Sequence, residues 1–181
     1  MRLNCPALLR CFFGGLLLAS ATIHAQSAAP FKVSELTFTA PAGWESVAVT
    51  SPMRKAQLKL TSADKKETAE IIFFHFGPGN GGGTQSNVDR WFRQFEEPKE
   101  KINAKVEETT VGSTKVTYVQ AQGTYRSGMP GGPQTSMPNY ALHGAVIEAA
   151  GGSVFVKMTG PAALVKSAAA DFKKLVESPL K

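Results

Sequence analysis

The sequence predicts an α+β domain: an antiparallel sheet of about six to seven strands covered by two amphipathic helices. Three observations carry that expectation. Segments that alternate apolar and polar residues recur along the chain, the period-2 mark of half-buried strands. Short turns rather than helices join them, which makes neighbouring strands antiparallel. Two stretches with apolar residues at 3–4 spacing remain to cover the sheet.

The elements follow in order. Leu36-Thr37-Phe38-Thr39-Ala40 alternates and reads as the first strand. Pro41-Ala42-Gly43-Trp44 is a turn, with Trp44 folding back onto the core. Residues 54–61 place Ala56, Leu58 and Leu60 on one face. The strand from Ala69 to Phe76 is apolar on both faces, so both sides of the sheet must be covered there. Gly77 to Gly83 breaks the pattern and reads as a flexible connector.

Ser86 is the expected N-cap of a helix carrying Val88, Trp91, Phe92 and Phe95 at i, i+3, i+4 and i+7, and Pro98 ends it. Residues 105–111 and 113–126 form a hairpin across Gly112-Ser113. The stretch 128–138, rich in proline and glycine, reads as a loop. Strands at 140–149 and 153–159 turn at Gly151-Gly152. Pro161 at the N1 position opens a last helix buried through Val165, Ala168, Phe172 and Leu175 or Val176.

The N-terminus has the pattern of a secretory signal peptide: Arg2 and Arg10, an apolar run from Cys11 to Ala19, then small residues up to Ala25. The run is shorter than the ~20 residues that span a bilayer. The expected organisation is a signal peptide at 1–25, an N-terminal tail at 26–34 and one domain at 35–178, exported to the periplasm or the exterior. Both cysteines, Cys5 and Cys11, leave with the signal. The remaining chain then offers no disulfide, thiolate metal site or cysteine nucleophile. The net charge falls from +6 to +4, with lysines scattered rather than gathered in a stripe. That argues for ordinary solubility and against nucleic acid as a partner.

The candidate chemistry is sparse. Gly82-Gly83-Thr84 lacks the lysine of a P-loop. No Gly-x-Ser-x-Gly elbow or His-Glu-x-x-His pair occurs, and no compact pair of carboxylates presents itself. No catalytic residue or cofactor is therefore expected. His75 and His143, with Met129 and Met137, offer imidazole and thioether groups suited to Cu(I), but their spacing is not diagnostic. Asn87, Arg90, Arg93 and Gln94 crowd planar hydrogen-bonding groups onto one helix beside the glycine run. They read as a solvated face or as a recognition surface on which an arginine takes a carboxylate or phosphate. Met129 and Met137 would form the other wall of that surface.

Phe38-Thr39-Ala40-Pro41-Ala42-Gly43-Trp44 near the start, and Met158-Thr159-Gly160-Pro161 leading into the last helix, resemble the Mog1/PsbP-like group of small α+β domains. The helix motif from Asn87 to Gln94 is similar to one in a set of exported bacterial proteins. The resemblance implies a non-enzymatic binding or accessory module and supplies no catalytic residue. The expectation is thus a monomeric exported module contacting an envelope protein or a small ligand. The alternatives are a metal-binding (copper) protein and a hydrolytic enzyme.

Overall fold

The computed structural model describes residues 29–49, 51–128 and 132–181. The expected signal peptide and Met129 lie outside these residues. Among the described residues the chain forms nine strands. Strands β1 (Phe31–Val33) and β2 (Leu36–Phe38) make a small antiparallel hairpin of their own. β1 falls within the segment expected as a tail, and Val33 at its end is buried.

The remaining strands are β3 (Trp44–Ser46), β4 (Arg54–Thr61), β5 (Thr68–His75), β6 (Lys105–Val111), β7 (Thr114–Gly128), β8 (Gln134–Ile147) and β9 (Val154–Pro161). They form one antiparallel sheet in the order β3-β4-β5-β9-β8-β7-β6. The architecture is α+β, as the alternation and the short turns predict.

Both faces of the sheet are covered. On the first face Leu58, Ile71, Phe73, Val156 and Met158 pack beneath the β1–β2 hairpin, Trp44 and the C-terminal helices. On the second face Val119, Leu142, Val146 and Phe155 pack beneath helix α1 (Thr84–Phe92) through Val88, Trp91 and Phe92. The dense aliphatic pattern of β5 and β9 follows from this, because strands buried on both faces have no solvent side to make polar.

Three local expectations are corrected. The first concerns the helix: it begins at Thr84 with Gly83 as N-cap, not at Ser86. The cause is Asn87, whose buried amide donates to the carbonyl oxygens of Gly81 (2.8 Å) and Gly83 (3.0 Å) and ties the glycine run to the first turn. The helix also stops at Phe92, before Pro98. Phe95 keeps its buried position beyond the helix, in an isolated β-bridge with Tyr125.

The second concerns the stretch 128–138, expected as a loop. Strand β8 starts at Gln134 and takes in Met137 and Pro138. The register shifts between Gly123, opposite Tyr140, and Tyr125, opposite Met137, so Pro138 and Asn139 sit in a bulge. Asn139 adopts φ 54° there. A bulge needs no ladder donor, which is why proline is tolerated.

The third concerns the last helix, which is two. α2 (Ala162–Ser167) and α3 (Ala169–Glu177) meet at Ala168, while the amide of Phe172 still donates to the Ala168 carbonyl at 2.8 Å. Pro161 ends β9 rather than occupying N1.

Candidate functional site

Helix α1 packs on β7, β8 and β9 through Val88, Trp91 and Phe92, and its other side forms an edge of the second face. Asn87 and Arg90 share that edge by helical spacing, and Gln94 follows just beyond the helix end. Asn87 is 1% exposed and serves the fold through its amide. Its side-chain oxygen also accepts a short hydrogen bond from the Arg90 guanidinium. Arg90 is exposed, yet it is oriented by a buried partner. No ion pair among the described residues involves it.

A cavity of about 590 Å³ opens between this edge and the start of β4. Ser86, Asn87 and Arg90 of the helix line it together with Met53, Phe76 and the Asn80–Gly82 loop. Gly81 has φ +104°, and a Cβ there would come within 2.8 Å of the Phe76 ring. Glycine is thus required for this loop to approach the ring.

Within electrostatic reach of Arg90, on central strand β9, stands Lys157. Its residue is 8% exposed. Nζ donates to the Tyr125 hydroxyl at 3.1 Å and to the Gln94 side-chain oxygen at 3.3 Å. Neither acceptor carries charge, and no described carboxylate pairs with the ammonium. Burial therefore pushes the Lys157 amine down to about 8; Glu70 opposes the shift, while Arg54 and Arg90 deepen it. Glu70 itself accepts from Arg54 and from Gln57, each at 2.8 Å, across the sheet. Tyr125 is pushed up to about 12, chiefly by burial, so its hydroxyl stays protonated near neutrality.

Sequence reasoning missed Lys157, Tyr125 and Arg54. A signal for the lysine was present: it is the one charged residue in the otherwise apolar run Val154-Phe155-Val156-Lys157-Met158. Glu70 shows the same pattern between Ala69 and Ile71.

The other candidate residues are dispersed. Arg93 faces a separate cavity, with Arg126 and Glu96 among its neighbours. Gln94 turns toward Lys157 and Tyr125. Met137 packs half-buried against the second core. His75 contacts the Ser153 carbonyl at 3.2 Å. His143 lies edge-on to Phe172, and burial lowers its pKa. Register places His75 opposite Val154 and His143 opposite Met158 on the two sides of β9. The two imidazoles are thus roughly 16 Å apart by strand geometry, too far to share one ion. Among the described residues no group of three or more His, Cys, Asp or Glu is placed to hold a metal.

Chemically, the arrangement supplies positive charge, fixed hydrogen-bond donors and an apolar wall. Lys157 is the group able to gain or lose a proton near neutrality, and Gln94 and Tyr125 cover its nitrogen. These features define an α+β domain with a cationic cavity at one helix edge. No protein-family model matches the chain, and no curated protein matches it. Among solved structures it is similar to cyanobacterial PsbP (CyanoP) from Synechocystis sp. PCC 6803, known from a solution structure. The TM-score is 0.48 at 14% sequence identity, covering 91% of this chain and 98% of that one. The likeness is one of fold.

Proposed function

We propose that this protein is an exported, non-enzymatic binding or accessory module, and that the α1 edge with its adjoining cavity is its contact surface. The observation that carries the reading is Arg90: an exposed guanidinium held in place by a buried asparagine and left without a carboxylate among the described residues. Surface arginines that serve only solubility need no such bracket. An oriented arginine loses less side-chain entropy when a partner arrives. The buried ammonium of Lys157 points the same way, because an unpaired buried charge costs stability and is tolerated where it serves another end. Export is supported by the basic and apolar pattern of residues 1–25.

The test is an amide chemical-shift map. The isotope-labelled domain is mixed with an envelope extract of the native host. Shifts confined to residues 53–57, 81–94 and 157, and absent in Arg90→Ala, are expected. Shifts elsewhere, or shifts unchanged in Arg90→Ala, would overturn the assignment of this surface.

A further inference from the structure

We infer that the cavity beside α1 takes a small organic anion, with its carboxylate on Arg90 and its apolar body against Met53 and Phe76. This rests on the reading of the α1 edge as the contact surface and names the ligand class for it.

Four observations carry the assignment. First, the cavity volume of about 590 Å³ falls in the size range of small-molecule sites. Second, no acidic side chain among the described residues lines it, so none of them competes there for Arg90 or repels an anion. Third, the surrounding charge is unbalanced. Arg90 and Arg54 both act on the Lys157 ammonium, and Glu70 is the acid that opposes them there. Arg54 and Gln57 already occupy that carboxylate. One more negative group at Arg90 would offset the repulsion that the two arginines exert on Lys157.

Fourth, the walls differ in kind. One nitrogen of Arg90 is bound to Asn87, and the rest of its planar fork stays available for a carboxylate. Lining the same cavity are Met53, 59% exposed and the most exposed large apolar side chain described, and the half-buried Phe76 ring. A thioether and an aromatic face invite a flexible apolar chain rather than a second charge. A hydrated inorganic anion would satisfy Arg90 and leave this wall unused.

The test uses octanoate as the probe, titrated into the full-length mature chain and followed by amide shifts and calorimetry. Octanol, octylamine and inorganic phosphate serve as comparisons. Octanoate should shift the amides of Gly81, Gly82 and Arg90 and should bind at least tenfold more tightly than octanol or phosphate. Arg90→Gln, an exposed substitution expected to melt like wild type, should lose at least tenfold in octanoate affinity. Met53→Ser should lose several-fold for octanoate and nothing for phosphate.

Octylamine binding as well as octanoate, or octanoate binding equally well to Arg90→Gln, would overturn the inference. Phosphate binding as tightly as octanoate would overturn its apolar half. If octanoate fails while the envelope extract still moves the α1 edge, the ligand class is wrong and the contact surface stands. If both fail, the contact surface falls too.

Discussion

The Trp91 indole packs directly over Gly144. A Cβ built on Gly144 would stand 2.4 Å from Cζ3 of the indole. Trp91 is 3% exposed, packed within the second core. This contact seats α1 on the sheet, and with it the Asn87–Arg90–Gln94 edge.

Gly144→Ala should therefore destabilise the domain by about 1–3 kcal/mol, the usual cost of overpacking a filled core. Trp91→Ala should cost about 3–5 kcal/mol. The two changes share one contact, so they should not add: the alanine at position 144 should cost much less once the indole is gone. Denaturant melts of the two single variants and the double variant measure this. Full additivity would show that the ring does not set the approach of the helix.

Lys157→Met should raise stability at pH 7. The folded amine titrates at about 8 and an unfolded lysine at about 10.4. Between those values the unfolded chain binds more protons, so stability climbs with pH across that window. Below pH 8 the burden is fully present, at roughly 3 kcal/mol. Methionine removes the charge and fills nearly the same volume. The variant should gain about 1–3 kcal/mol at pH 7 and should lack the climb from pH 8 to pH 10. Melts at both ends of that range decide the matter.

Asn87 should tolerate neither of its simplest replacements. Asn87→Ala leaves the Gly81 and Gly83 carbonyls without their side-chain donor, at about 1–3 kcal/mol. Asn87→Asp should be worse, because a buried carboxylate would face those two carbonyl oxygens. Thermal melts should rank wild type above Asn87→Ala, and Asn87→Asp lowest.

Glu97 governs an acid-sensitive contact. Both of its carboxylate oxygens accept from the Thr124 amide, at 3.0 and 2.9 Å, where β7 parts from β8 at the bulge. Those bonds hold its carboxyl below the usual glutamate value. The stabilisation is complete above the ordinary glutamate pKa and is lost as pH falls through the depressed one. Glu97→Gln should melt lower than wild type at pH 6, and its further fall between pH 6 and pH 3 should be smaller.

Much of this was readable in the chain. The Val88–Trp91–Phe92 stripe announces the helix and its buried side, because apolar spacing reports which face meets a core. The hairpin at Gly112-Ser113 and the turn at 151–152 are visible because turn residues punctuate alternating runs. The start of α1 was not visible, since Asn87 caps backward across a loop and leaves no signal in apolar periodicity. The strand through Met137 and Pro138 hid behind a proline that only a bulge accommodates. The cationic cavity was half legible: Arg90 and Asn87 stood out as a polar helix face. Their neighbours Arg54, Glu70 and Lys157 come from strands more than a dozen residues away, and only the register brings them together.

The bulge at Pro138-Asn139 has one more effect. Beyond Gly123 and Tyr140, β7 and β8 run on past the ends of β6 and β9, and the segment around Phe95 braces only the base of this extension. Its backbone amides near Ser127 and Thr135 are thus held by a ribbon two strands wide. Such a ribbon opens by local excursions, whereas the amides of β9 between two cores exchange only when the whole domain comes apart. The molecule carries two tiers of lifetime, a long-lived slab and a shorter-lived blade projecting from it.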